Sequence, residues 1–180
     1  MADSVEQAIV LDRFVLQQTV SLQLARPEHL PLLEWFGQFE HYRALYAQTY
    51  QEQVQGRRLM VLALVNEFPV GQIFVHLIDV GRSEAFRRYR GYLYALRVME
   101  PFRRQGIGTR LILQAESLLR ERGYRRAMIA VAKDNRPARR LYERLGYVVY
   151  GDDPGRWSFV DHTGRVNRVE EPSWLLQKTL

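Results

Sequence analysis

The order of elements along this 180-residue chain predicts an α/β fold of the α+β kind, a mixed β-sheet covered by helices. Three observations carry the prediction. Short β-rich runs are separated by Gly, Pro and Asn; one long stretch after residue 106 repeats its apolar residues at helical spacing; and strand and helix alternate between residues 91 and 150. The length fits a single domain, 1–180, of which 1–18 is an N-terminal extension.

In order, Val20 to Leu24 is a short alternating strand that Arg26-Pro27 ends. Residues 27–36 and 40–54 have the spacing of two helices joined at Gly37, the first interrupted by Pro31. Arg58 to Asn66 and Val70 to Ile78 are β-rich runs about a turn at Glu67-Phe68-Pro69, and 79–90 is a charged loop. A fourth strand follows over Gly91 to Met99. Ile107, Leu111, Ile112, Ala115, Leu118 and Leu119 form one helix face, which Gly123 closes. Arg126 to Val131 reads as a buried strand. Pro137 opens a second helix with the face Ala138, Leu141, Tyr142, Leu145, and Gly146 ends it. Tyr147 to Tyr150 is a strand, 151–157 a turn-rich loop, and a weak hairpin around His162-Thr163-Gly164 precedes a last strand, Trp174 to Leu180.

Composition narrows the function. The net charge of +6 is unevenly spread, because residues 81–150 hold sixteen Arg, one Lys and six acids, a net of +11, against −4 before and −1 after. A concentrated basic segment points to nucleic acid, an anionic membrane surface or a phosphorylated small molecule. The absence of cysteine excludes disulfides, thiolate metal sites and cysteine nucleophiles. The four histidines, at 29, 41, 76 and 162, are isolated, so no metal site is expected. Asp3 and Glu6 stand where a signal peptide needs positive charge, and no run reaches the roughly 18 apolar residues of a membrane span. A cytoplasmic protein is the expectation.

The chemically informative stretch is Arg103-Arg104-Gln105-Gly106-Ile107-Gly108-Thr109, between the fourth strand and the amphipathic helix. Its glycines allow a sharp turn and close approach of a ligand, while the helix start offers unpaired N–H groups and the positive end of its dipole. Such an arrangement holds phosphate oxygens between backbone amides and guanidinium groups. Leu111 replaces the third glycine of a dinucleotide fingerprint, and no Gly-Lys-Ser/Thr follows as in a P-loop.

The loop, followed by Asn135, Ala138, Leu141-Tyr142-Glu143 and Leu145-Gly146-Tyr147 in that order, resembles the GNAT superfamily of acyl-CoA-dependent N-acetyltransferases, whose pyrophosphate loop reads Arg/Gln-x-x-Gly-x-Gly/Ala. The likeness is specific over 91–150, which it makes an acetyl-CoA-binding core, and looser over 20–180. It implies a mostly antiparallel sheet flanked by helices on both faces, in which two central parallel strands, 91–99 and 126–131, splay to accept pantetheine. Leu96 and Val98 would pair with the pantetheine amides, Arg103, Arg104, Gln105, Gly106, Ile107, Gly108 and Thr109 would hold the pyrophosphate, and a backbone N–H near Val98 would stabilise the oxyanion. Tyr142 would be the general acid at the departing sulfur. Asn135 would contact the pantetheine or its neighbouring backbone and Ala138 would bind the cofactor, with Arg139 and Arg144 as lesser candidates for the 3′-phosphate.

The general base is not legible. An amine of pKa about 10 must lose a proton before it attacks. Ala130 stands where the ribosomal-protein alanine acetyltransferases carry a glutamate, and the fourth strand offers Tyr92 and Tyr94. Glu100, Glu84, Asp79 and His76 remain as candidates, acting through water.

The resemblance thus implies transfer of acetyl from acetyl-CoA to a primary amine in a ternary complex, without an acetyl-cysteine. The rival readings are an Nα-acetyltransferase of protein termini, a non-catalytic CoA-binding module and, on charge alone, a nucleic-acid binder. Coenzyme A is the preferred partner of the basic segment, so neither nucleic acid nor membrane is expected. The acceptor is unassigned; Trp35, Tyr42, Tyr46 and Trp157 would tolerate many amines. The last strand offers pairing or exchange in a homodimer. The Arg87, Arg88, Arg90 cluster reads as a solvated loop.

Overall fold

The computed structural model describes residues 12, 14–15, 17–80 and 88–180, with backbone alone at 79, 80 and 88. The strands are β1 (Ser21–Leu24), β2 (Arg58–Val65), β3 (Phe68–Val80), β4 (Arg88–Val98), β5 (Arg126–Ala132), β6 (Val148–Asp153), β7 (Arg156–Val160), β8 (Val166–Glu170) and β9 (Ser173–Thr179). The helices are α1 (Arg43–Val54), α2 (Ile107–Glu121) and α3 (Arg136–Arg144). Seven strands form one sheet in the order β1-β2-β3-β4-β5-β9-β6, and β7-β8 is a separate ribbon. Every neighbouring pair in the sheet is antiparallel except β4-β5.

Two cores lie on opposite faces of the sheet. Leu59, Val61, Ala63 and Val65 of β2 pack with Leu111, Ile112, Ala115 and Leu119 of α2, whereas Met60, Leu62 and Leu64 pack with Leu33 and Tyr46 on the α1 side. This two-sided burial explains why β2 reads as an unbroken apolar run rather than an alternation. By contrast β5 alternates: Ala127, Ile129 and Val131 are buried, while Met128, Ala130 and Ala132 face an open cleft.

The cleft originates in a break of pairing. β4 and β5 are in register only from Arg90↔Arg126 to Leu93↔Ile129, although β4 continues to Val98 and β5 to Ala132. At the point of parting β4 carries a bulge. Its register with β3 passes from Tyr94↔Phe74 to Arg97↔Gln72, so that Ala95 and Leu96 oppose Ile73 alone, and Ala95 takes φ 52. The extra residue bends β4 away from β5 and restores the side-chain alternation one position late.

Several boundaries differ from the sequence reading. The first predicted helix is a pair of 3-10 turns, Pro27–His29 and Pro31–Glu34, because neither proline has an N–H to continue an α-helical ladder. Trp35, Phe36 and Gly37 then take φ values of 45, 61 and 89, which stop the chain from continuing as a helix. The second begins with another 3-10 turn, Glu40–Tyr42, before α1. The β2–β3 turn is Asn66-Glu67, at φ 48 and 62, rather than Glu67-Phe68-Pro69, because two left-handed residues close a two-residue hairpin. Both ends of the expected 79–90 loop are strand, 79–80 in β3 and 88–90 in β4, and 81–87 lie outside the described residues. β6 and β7 occupy much of the expected loop at 151–157. Asn135 precedes α3, so Pro137 is its second residue rather than its first. Finally, β9 lies between β5 and β6, so neither of its edges is free to pair with a second subunit; exchange of the strand is unaffected.

Candidate active site

The start of α2 stands beside Val98, the last residue of β4. Gly106 is its N-cap residue at φ 83, a conformation that strains any residue with a Cβ, and it supplies no capping side chain. Arg104 before it also has a positive φ, 60. Gly108 differs. It is helical, and a Cβ built on it would meet only Val98 Cγ2 at 3.9 Å, an ordinary contact. Neither backbone nor packing requires glycine there, although glycine costs a helix about 1 kcal/mol relative to alanine.

The loop's side chains support the turn from within. Arg103 Nε donates to Val98 O at 2.9 Å and Gln105 Nε2 to Pro101 O at 3.0 Å. Arg103, Arg104 and Gln105 are exposed, Ile107 is buried in the α2 core, and Thr109 is half-buried. Met99 N–H donates to Val70 O at 2.8 Å, so by the alternation of an antiparallel ladder the adjacent pair Val98↔Gly71 is not bonded across β3. The N–H and C=O of Val98 therefore face the splay, as the Arg103 contact to its carbonyl bears out.

The cleft has a volume of about 870 Å³ and is lined on the splay side by Leu96, Ala130, Asn135 and Tyr142. Tyr142 is 5% exposed, and burial, with a smaller effect from Tyr92, pushes its phenol up to about 12. Asn135 Oδ1 accepts the Ala138 N–H at 3.2 Å, capping α3 rather than reaching outward. Arg139 Nε is bound by Glu143 at 2.8 Å and its guanidinium lies over Trp174, while Arg144 is exposed on the last turn of α3. The structure thus brings Leu96, Asn135 and Tyr142 into one cavity and sets the Gly108 turn beside Val98. It leaves Arg139 engaged elsewhere.

The other half of the cleft is aromatic: Tyr42, Tyr46, Phe74, Tyr92, Tyr94, Tyr150 and Trp157. Tyr92 and Tyr94 stack at 6.2 Å, and Arg58 Nη1 donates to Tyr94 OH at 2.6 Å. The β7–β8 ribbon reaches across to the start of α1, where Phe159 packs on Tyr42 at 4.9 Å and His162 Nε2 stands 3.8 Å from Glu40 Oε1. Asp161 organises the ribbon's turn. Bonds from Thr163 and Asn167 hold its carboxyl below the usual carboxylate range. Trp35 is buried and donates to Pro69 O, so it does not line the cleft.

The two expected base candidates whose side chains are described, Glu100 and His76, do not line this cavity. Glu84 and Arg87 lie outside the described residues, and the side chain of Asp79 is not described. Glu100 is exposed in the 3-10 turn Glu100–Phe102. His76 sits beside Tyr92 on β3, its pKa lowered by burial and then by Arg58. The carboxylates that do line the cleft are Asp153, at the end of β6, and Glu171, before β9. After burial, Asp153 is the largest influence raising the pKa of Tyr92. The sequence reading missed both acids because Asp153 lies within a stretch that reads as a turn-rich loop and Glu171 lies between the weak hairpin and the last strand. Among the described residues no group of three or more His, Asp or Glu forms a metal site.

A sheet split between two parallel strands, with a glycine turn opening a helix at the split, is the architecture of the GNAT acyltransferases. It matches Arabidopsis thaliana NAA60 in complex with acetyl-CoA at a TM-score of 0.70 and 18% identity, covering 90% of this chain and 99% of that one. The ribosomal-protein-S18-alanine N-acetyltransferase of Escherichia coli matches at a TM-score of 0.67 and 18% identity, over 89% and 94% of the two chains. The model of the acetyltransferase (GNAT) family matches residues 24–147, and the chain belongs to that family. Among curated proteins, N-alpha-acetyltransferase 30 of Schizosaccharomyces pombe is 32% identical over 89 residues, 49% of this chain and 57% of that protein. Its Homo sapiens counterpart is 37% identical over 91 residues, 51% and 24% of the respective lengths. These matches span little more than half of one relative and a quarter of the other.

Proposed function

We propose that the protein is an N-acetyltransferase that transfers acetyl from acetyl-CoA to a primary amine by direct attack in a ternary complex. The observation that carries this reading is the parting of β4 and β5 after Leu93 and Ile129, which leaves a cavity running from Leu96, Asn135 and Tyr142 to an aromatic chamber, with Gly108 of α2 beside Val98 at the end of β4. In this reading the amides at the start of α2 hold the pyrophosphate, with Arg103 and Arg104 beside them. Val98 and Leu96 offer strand-like hydrogen bonds to the pantetheine arm, and the Val98 N–H stabilises the charge that develops on the thioester oxygen. Asn135 and Ala138 fix the start of α3, so that Tyr142 faces the departing sulfur.

The raised pKa of Tyr142 defines its part. A phenol near 12 keeps its proton at neutral pH and donates a hydrogen bond to the sulfur as thiolate character appears. With no cysteine in the chain, an acetyl-cysteine intermediate does not arise. The acceptor approaches from the aromatic side, where Asp153 and Glu171 meet its ammonium and pass its proton to water. Unlike Glu100 and His76, these two acids border the cavity.

A second reading, Nα-acetylation of a protein terminus, is favoured by the names of the curated relatives. Among the described residues no helix is long and apolar enough to cross a membrane, and a cytoplasmic location remains part of the proposal. Release of free CoA, measured over polyamines, aminoglycosides, amino acids and peptides, tests the function. Amine-dependent release supports transfer; binding of acetyl-CoA without release for any amine favours a CoA-binding module. Release with peptides alone selects the Nα reading.

A further inference from the structure

Arg97 is a side chain whose position the sequence does not indicate. Counting alternately from the core residue Leu93 would turn it toward α2, but the bulge at Ala95 and Leu96 shifts the count, and Arg97 pairs with Gln72 on the α1 face. There it lines the cleft. Its guanidinium lies 4.6 Å from the Phe39 ring centre and 4.7 Å from that of Tyr42, and Nη1 donates to Tyr46 OH at 3.3 Å. Among the described residues no carboxylate is paired with it. Arg43, Arg58, Arg139 and Lys178, by contrast, are each held by a glutamate. A guanidinium has five N–H donors in a planar fork, and Tyr46 takes one of them. The aromatic faces orient this charge without neutralising it.

The opposite wall carries net negative charge, since Asp153 and Glu171 line the same cavity from the end of β6 and the segment before β9, and Arg156 of β7, which lines it too, is paired with Glu170 at 3.3 Å. The cleft is therefore dipolar, cationic beside α1 and anionic beside β6 and β9, with aromatic rings between. We infer that the acceptor amine carries a carboxylate and that Arg97 binds it, fixing which end of the acceptor faces the splay. This inference rests on the acetyltransferase reading and adds the chemical class of the acceptor. An arginine fork matches a carboxylate bidentately, while the ammonium is drawn to the acidic wall. The carboxylate has two sources, a free amino acid or an acidic side chain near the start of a peptide.

The test compares acceptors that differ in the carboxylate alone. An aromatic amino acid, its amide and the corresponding decarboxylated amine form one arm; a pair of short peptides differing by Glu or Gln at the second position forms the other. Each is measured for turnover with acetyl-CoA, and for binding to the CoA-loaded protein by thermal shift. The wild type is expected to prefer the carboxylate-bearing member of one arm by about tenfold or more, the range for a charge-assisted hydrogen bond. Arg97→Gln is expected to bring that ratio close to one, and Arg97→Lys to recover part of it. A merely structural role would lower all acceptors together and leave the ratio intact. Whichever arm shows the preference identifies the source of the carboxylate. Equal treatment of carboxylate and amide by the wild type in both arms, or an unchanged ratio in Arg97→Gln, overturns the inference. Loss of the acetyl-CoA thermal shift in the wild type overturns the underlying transferase reading instead.

Discussion

Tyr142 shows how one side chain can serve packing and chemistry together. It belongs to the core beneath α2 and α3, yet it also borders the cleft. Tyr142→Phe retains the ring and removes only the hydroxyl, so the fold and CoA binding are expected to survive while kcat falls by about a hundredfold or more, the smaller end of what one proton donor contributes. Steady-state turnover beside a CoA titration checks this; an unchanged kcat assigns Tyr142 to the core alone. Leu96, Asn135 and Tyr142 were named in the sequence through the resemblance to the GNAT superfamily, whose glycine loop, Asn and Tyr stand at recognisable spacing. Arg97 was not, since the bulge that re-aims it uses Ala95 at φ 52, where no Gly or Asn announces a left-handed residue. Asp153 and Glu171 were equally hidden, as their place depends on how β6 and β9 pair.

Among the elements, α2 was the most legible and also held a surprise. Its apolar face appears as expected, but Glu116 is 0% exposed within it. Lys178 of β9 lies 2.7 Å from the Glu116 carboxylate and Arg120 lies 3.2 Å from it, so an ion pair fastens the strand beside β5 to the helix behind the sheet. Removing the carboxylate leaves Lys178 without its charge partner. Glu116→Ala is therefore expected to destabilise the protein by about 3 kcal/mol or more, measured by urea unfolding. A loss below about 1 kcal/mol would mean that Lys178 finds solvent instead. The 3-10 turns before α1 were the least legible element: the interruption at Pro31 was readable, but apolar spacing does not reveal that the whole stretch is 3-10 rather than α-helical. The β7–β8 ribbon was visible only as a weak hairpin; its contact with Tyr42 depends on Phe159, which no local pattern marks.

For the whole molecule, the basic segment acquires a geometry. Of the +11 of residues 81–150, β4 and α3 carry +3 each, on either side of the splay, whereas α2 is neutral with two Arg and two Glu. The order of elements sufficed to read a mixed sheet with helices, whereas the parting of its central strands depends on a bulge and a parallel pairing that no local signal encodes. Two buried phenols also set a pH limit on stability. Burial raises the pKa of Tyr142 to about 12 and that of Tyr147 further. A raised pKa in the folded state favours the protonated phenol, so its contribution is fully present below the unfolded value of about 10 and is lost as pH rises through about 12. Unfolding midpoints should stay level from neutral pH to about 9 and fall by about pH 11, and Tyr142→Phe should flatten that fall.

The central claim, that the turn at Gly106 and Gly108 and the splay beside it receive acetyl-CoA, is tested most directly by thermal unfolding with the cosubstrate. At a hundredfold excess over Kd, binding stabilises a fold by roughly 2.7 kcal/mol, a Tm rise of roughly 5 to 10 °C for a chain of this size. The wild type should show that rise, and Gly108→Glu, which sets bulk and negative charge in the first turn of α2 beside Val98, should show none. No rise in the wild type, or an equal rise in the variant, would contradict the account.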